Sequence, residues 1–247
     1  MTGIIGHRGG RNLWPENGLT GFRNLLDLPV AGVEFDLHLS DSGEVLVIHD
    51  ARLDRTVEAT GLTRSLSPER RKVTRLKDSA DTVPLLSEVL EVYADSPLAL
   101  HIELKNDELN QPYPGLPALA LAEIDRLGLR DRAVLTSFDL GVLETCRDLA
   151  PDVRRLCSMS EGSTRARGFE ASLAATEPLA DYIAIHKDLL DTHWTEVSRR
   201  IAPERLCAWV CNTEGELHHW LARAPGFITS DDPALACRLA AETPAPA

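Results

Sequence analysis

Glu34 and Asp36 sit one residue apart inside the apolar run GVEFDLHL (32–39), and Glu103 sits inside HIELK, two residues before Lys105. Burying a carboxylate without a partner costs several kcal/mol, so an apolar strand rarely carries one for structure alone. Every second side chain of a strand faces the same way, about 6.6 Å from the next on that face. Glu34 and Asp36 therefore share a face, and so do Glu103 and Lys105. If both strands belong to one barrel, the three acids converge at its carboxyl-end mouth. There they repel one another, and unless they take up protons they need a cation. Oxygen ligands from Asp and Glu suit a hard divalent ion, Mg²⁺ or Ca²⁺, more than zinc or copper. The structural alternative is a set of salt bridges between barrel strands.

His7 and His49 each end an apolar run, and two imidazoles can act as acid and base on one bond. Arg8 and Lys105 add fixed positive charge. This company suits a phosphodiester, whose transition state spreads negative charge over its oxygens, better than a sugar or a hydride donor. His38 and His101 share the faces of Asp36 and Glu103 by alternation and read as hydrogen-bonded supports of the acidic cluster. His186 and Lys187 end another strand. His193, His218 and His219 fall in helical patterns as surface or packing residues, and Phe22, Leu25 and Leu26 read as core. Asp50 either orients His49 or starts the following loop.

A recurring unit positions these residues: a short apolar strand, a loop and a helical pattern. The strands are expected at 3–7, 32–39, 98–105, 132–138, 153–159, 181–186, 205–211 and 226–230. Helices are expected at 17–28, 85–94, 116–128, 139–149, 166–176, 191–201, 214–223 and 232–242. Eight such pairs in 247 residues predict an α/β fold of the (β/α)₈ TIM-barrel type. GHRGGRN is not the G-x-G-x-x-G fingerprint of an open nucleotide-binding sheet. A long excursion, approximately 51–84, follows the second strand. Its residues 51–78 carry eight Lys/Arg against four Asp/Glu, and RRKVTRLK (70–77) could as a group attract an anionic substrate. The expected organisation is a single barrel domain over 1–247 with this excursion as an insertion.

The formal charge of −12 argues against nucleic acid as a partner. No stretch approaches a membrane-spanning helix, so no stable membrane insertion is expected. The five cysteines are odd in number and scattered, and Cys207 and Cys211 read as packing thiols. A strand running into a glycine turn leaves no room for targeting ahead of His7, and a cytoplasmic location is expected.

The segments GHRGGRNLWPENGLTGF, GVEFDLHLSDSGEVLVIHDARLDRT, PLLSEVLEVY and HIELK resemble the successive signatures of the glycerophosphodiester phosphodiesterase family. LTSFD, AWVCNTEGEL and FITSDDP resemble its later segments more loosely. Gly18, SDSG, VCN and TSDDP depart from the family pattern without touching the acids, His7, His49, Arg8 or Lys105. The resemblance implies a (β/α)₈ barrel with a small insertion after the second strand, and a divalent metal held by Glu34, Asp36 and Glu103. It implies His7 and His49 as the acid–base pair, Arg8 and Lys105 as phosphate contacts, and Asn17 and Trp209 as pocket-lining residues. The implied reaction is hydrolysis of a small-molecule glycerophosphodiester to sn-glycerol 3-phosphate and an alcohol. A substrate hydroxyl attacks first, and water then opens the cyclic phosphate.

Three other functions compete. A related phospholipase of the D or C type would act at membranes, and no exposed apolar or aromatic run supports it. A glycosidase using Glu34 and Glu103 leaves His7, His49 and Lys105 without roles. A non-catalytic binding protein would be expected to lack at least one of the seven polar residues, and all seven are present.

Overall fold

The computed structural model describes residues 2–243. Short aliphatic runs become the strands β1 (Gly3–His7), β2 (Gly32–Leu39), β3 (Val45–Val47), β4 (Ala99–Leu104) and β5 (Ala133–Ser137). They continue as β6 (Arg154–Met159), β7 (Tyr182–His186), β8 (Leu206–Trp209) and β9 (Phe227–Ser230). All but β3 pair in parallel in the ring β1-β2-β4-β5-β6-β7-β8-β9, which closes because β1 pairs with both β2 and β9. Among the described residues this is a closed eight-stranded parallel barrel with helices in its crossovers, the (β/α)₈ architecture.

Both faces of the barrel strands are covered. Outward residues such as Val33, Phe35, Leu37, Ile102 and Leu135 pack with helix residues Phe22, Leu25, Val89, Leu143 and Trp220 in the main core. Inward residues Val134, Leu156, Ala184 and Cys207 form a second cluster with Tyr182, Trp209 and Phe227 inside the barrel. The inward positions of β2 and β4 break that rule: they carry Glu34 and Asp36, and His101 and Glu103. In register, His7 stands beside Glu34, Glu34 beside His101, and Asp36 beside Glu103.

The run ending at His49 is a strand, but it is not a barrel stave. It pairs antiparallel with the rim end of β2, Leu37 against Val47 and Leu39 against Val45, and Ile48 N–H donates to the Asp36 carbonyl at 3.0 Å. This reversal returns His49 to the mouth, beside the level of Asp36.

Several helix boundaries move for local reasons. The helix expected at 17–28 spans only Leu19–Leu25, because Asn17 is left-handed (φ 57°) and Gly18 is extended. Leu26, expected in the core, follows the helix end and is 41% exposed. The helix expected at 166–176 begins at Phe169, after left-handed Gly168. The one expected at 191–201 is two helices, Lys187–Thr192 and Trp194–Arg200, interrupted at His193, whose ring stacks on Phe169 at 3.8 Å. Cys207 and Cys211 are buried free thiols.

The excursion is more than a solvated surface. Leu53, Val57, Leu66, Leu76 and Val83 bury with Leu46 and Ile48 in a hydrophobic cluster of their own. Of its basic run, Arg71 is buried on Glu44, Glu88 and the Val83 carbonyl, while Arg70, Lys72, Arg75 and Lys77 are exposed. None of residues 70–77 lines the central cavity. No helix of the described residues is long and apolar enough to cross a membrane.

If this cluster is a true core, Leu66→Ala should lower stability by about 2–5 kcal/mol, whereas Lys72→Ala should change it by less than about 0.5 kcal/mol. Urea unfolding of the two variants, read as midpoint and slope, checks this difference.

Candidate active site

The side chains gathered at the barrel mouth come from five places: the β1 end, β2, the segment after β3, the β4 end and the β9 end. Glu34, Asp36 and Glu103 can each place one carboxylate oxygen within 4.8 Å of the others, and all three are buried. Lys105 Nζ lies 3.0 Å from Asp36 Oδ1 and 2.5 Å from Glu103 Oε1. Arg8 Nε lies 3.2 Å from Asp36 Oδ2, and the Arg8 backbone N–H donates to Glu34 Oε2 at 3.1 Å. Arg8 is itself left-handed (φ 50°), as are Gly9 and Gly10. A side chain at Gly9 would meet the Phe22 ring at 3.0 Å. The HRGG turn is thus built to fold tightly over the helix that follows.

Two cations face three acids, and the imbalance falls on Glu34. Burial, with Asp36 and Glu103 nearby, pushes its carboxyl well above the usual range. Burial works the same way on Asp36, but Lys105 and Arg8 outweigh it and hold Asp36 well below that range. Burial also opposes the charge of Lys105, yet Asp36 and Glu103 raise its pKa. Glu34 Oε1 is buried without a hydrogen-bond partner. An unpartnered carboxylate oxygen beside two further carboxylates fits an oxygen-liganded divalent cation, which would take the place of a proton on Glu34.

His7 and His49 are each held by an aspartate. His7 Nδ1–H donates to Asp231 Oδ1, and His7 Nε2 lies 3.7 Å from Glu34 Oε2. Burial lowers the His7 pKa against the raising effect of Asp231. Asp231 is in turn fixed by Asn212 Nδ2 at 2.7 Å and Arg11 Nε at 3.3 Å. His49 Nδ1–H donates to Asp50 Oδ1 at 2.6 Å, so Asp50 does orient His49. Arg55, from the excursion, grips Asp50 (Nε to Oδ2, 2.6 Å) and Glu16 (both 2.7 Å), and Glu16 also accepts from Arg8. The His49 bond holds Asp50 far below its ordinary value, with Arg55 adding to the effect.

Asn17 is placed differently from the pocket-lining position expected for it. It is buried behind the site, where its Nδ2 donates to Asp36 Oδ2 at 2.9 Å, and it is not among the residues lining the central cavity. Trp209 does line that cavity, its ring edge-on to Phe138 at 5.6 Å and to His186 at 5.1 Å. His38 supports the site as a neutral linker, with Nδ1 on the Tyr113 hydroxyl and Nε2–H donating to the His49 carbonyl; burial lowers its pKa to about 4. Asp231, Glu16 and Arg55 were not foreseen as site residues. The doubled acid of TSDDP offered a signal: Asp232 caps the last helix, which leaves Asp231 free for another task.

The central cavity, about 140 Å³, is charged on one wall and bounded on the other by Phe138, Leu156, Ala184 and Trp209. An open groove of about 600 Å³ adjoins it, lined by Asp50, Asn106, Asn110, Phe138 and Asp139 among others. A mouth with this charge distribution can bind an anionic ester and move protons on either side of it.

Residues 7–224 match the model of the glycerophosphoryl diester phosphodiesterase family. The Bacillus subtilis protein YqiK is 31% identical over 182 residues, 71% of this chain and 74% of that protein. A glycerophosphodiester phosphodiesterase of Bacillus altitudinis is 34% identical over 160 residues, 62% of this chain and 64% of that enzyme. The crystal structure of a proposed glycerophosphoryl diester phosphodiesterase from Agrobacterium tumefaciens superposes with a TM-score of 0.87 at 25% identity, covering 98% of both chains.

Removing a cation from the buried cluster should be costly. Lys105→Met leaves Asp36 and Glu103 without their shared partner and should destabilise the metal-free protein by about 3–5 kcal/mol, measured by urea unfolding in EDTA.

Proposed function

The chain belongs to the glycerophosphoryl diester phosphodiesterase family, and on that premise we propose that it hydrolyses glycerophosphodiesters to sn-glycerol 3-phosphate and an alcohol with a divalent metal and a His7–His49 acid–base pair. One observation carries this reading. Three carboxylates within 4.8 Å of one another meet, at a single cavity mouth, two imidazoles that are each held at Nδ1 by an aspartate.

Glu34, Asp36 and Glu103 would hold Mg²⁺ or Ca²⁺, whose charge offsets the negative charge that builds on the phosphate oxygens. Arg8 and Lys105 keep the cluster assembled and present positive charge to the same phosphate. With Nδ1 tied to Asp231 or Asp50, each imidazole has only Nε2 left for proton transfer. One histidine takes the proton of the attacking glycerol hydroxyl as its oxygen bonds to phosphorus. The other delivers a proton to the alcohol oxygen as the old P–O bond breaks, and water then opens the cyclic phosphate by the reverse roles. In this reading the chain is one catalytic unit, and its excursion supplies the Arg55 that steadies Asp50 and hence His49. Trp209 and Phe138 form the apolar wall against which the substrate lies.

Glycerophosphocholine and glycerophosphoethanolamine should be hydrolysed, EDTA should abolish the reaction, and Mg²⁺ or Ca²⁺ should restore it; activity that survives chelation removes the metal from the proposal. His49→Ala should lower kcat by two or more orders of magnitude with an unchanged circular-dichroism spectrum. Asp231→Asn, which keeps the shape but weakens the hold on His7, should lower kcat by at least about tenfold and leave KM nearly constant.

A further inference from the structure

His49 differs from the rest of the site in what carries it. His7, Glu34, Asp36 and Glu103 stand on barrel strands, whereas His49 follows β3, which lies outside the ring. Pairing of β3 with β2 brings the backbone of His49 to the mouth, but the ring is held only through Asp50. Asp50 depends in turn on Arg55, whose side chain is 47% exposed. A single ion pair that far into solvent contributes little and fixes no geometry. Arg55, however, is gripped at both ends. Its Nε and Nη2 donate to the two oxygens of Asp50 at 2.6 and 3.0 Å, and its Nη1 and Nη2 donate to the two oxygens of Glu16, each at 2.7 Å. Paired bonds of this kind add orientation as well as energy.

Glu16 is the fixed end of the bridge. Its side chain is 12% exposed, and its Oε1 also accepts from Arg8 Nη1 at 3.2 Å. The next residue, Asn17, donates to Asp36, so the loop that carries Glu16 is pinned to the acidic cluster. Burial opposes the charge of Glu16, but Arg55, Arg8 and Arg11 outweigh it and hold its carboxyl below the usual range. One carboxylate thus faces both the arginine that serves Asp36 and the arginine that serves Asp50. Arg11, 4.0 Å away, makes no hydrogen bond to Glu16, and the Asp231 support of His7 stands apart from this bridge.

Resting on the reading of the site as a glycerophosphodiester hydrolase, we propose that Glu16 is a positioning residue that sets His49 against the carboxylate cluster, acting through Arg55 and Asp50. It touches no reacting atom. Misplacing a catalytic group by about 1 Å can cost about 10²-fold in rate. Glu16 lines neither the central cavity nor the adjoining groove, so its loss should be felt in kcat and hardly in KM.

The test combines glycerophosphocholine kinetics in saturating Mg²⁺ with proton NMR of histidine-labelled protein, in which His7→Ala and His49→Ala assign the two Nδ1–H signals. Glu16→Gln should lower kcat at least tenfold with KM within about twofold, and should erase the His49 signal while that of His7 persists. Glu16→Asp, which keeps the charge on a shorter stem, should recover part of kcat. Because the two residues form one bridge, Glu16→Gln combined with Arg55→Met should be no slower than the slower single variant. Wild-type kcat in Glu16→Gln overturns the proposal, as do losses that simply multiply in the double variant. So does a fall in kcat with the His49 signal intact, which assigns Glu16 to Arg8 and Asp36 instead, or loss of both signals, which marks general loosening of the mouth. If Glu16→Gln fails to fold, Arg55→Met breaks the same bridge from its exposed end and is judged by the same readouts. A wild-type protein that hydrolyses no glycerophosphodiester refutes the functional reading, and the His49 signal still decides whether Glu16 holds the ring.

Discussion

The charge balance around Asp36 is the constraint on which the site depends. Three carboxylates within 4.8 Å of one another would repel by about 3–4 kcal/mol per pair at an effective dielectric of 20. Arg8 and Lys105 approach Asp36 from opposite oxygens, and Asn17 adds a hydrogen bond to one of them. Asp36 is thereby the carboxylate best compensated for its charge, and Glu34, whose Oε1 has no partner, is the acid whose charge the cluster compensates least. The protein has left one acid short of positive charge at the cavity, which is where a divalent cation makes its largest difference. The left-handed turns at Arg8 and Asn17 follow from the same need: both residues must leave regular structure to reach Asp36.

The two imidazoles pose a second problem, that of holding a mobile ring in one orientation. Their supports differ. His7 and Asp231 are 224 residues apart and meet only because β1 closes the barrel against β9. His49 and Asp50 are adjacent in sequence, but Asp50 is held by Arg55, and Arg55 is held by Glu16 from the loop after β1. The excursion therefore has a packed hydrophobic cluster for a physical reason: an arginine that fixes a carboxylate can only be as steady as the segment that carries it. The exposed basic residues at 70–77 belong to the outside of that segment.

Much of the site was legible in the sequence because its residues violate the rules of the elements that hold them. An acid in an apolar strand, or a histidine at a strand end, stands out against a hydrophobic pattern of period two, and Glu34, Asp36, Glu103, His7 and His49 all do so. Asn17 enters only through the family resemblance, and its partner carries no local signal; the left-handed backbone turns its amide toward Asp36 and away from the cavity. Glu16, Arg55 and Asp231 lie in polar loops, where charged residues are ordinary and carry no such signal. Leu26 erred in the opposite direction: its helical spacing matched the core, but the helix had already ended.

The alternation within each strand and the recurrence of strand and helix are local properties, dictated by side-chain volume, polarity and backbone propensity, and they determined the eight strand–helix units and which acids share a face. Closure of the ring, the antiparallel return of β3 and the grip of Arg55 on Asp50 were decided by tertiary structure alone. They join residues far apart in the chain through contacts that no local pattern encodes, and a hydrogen bond between positions 7 and 231 exists only when every stave between them has taken its place.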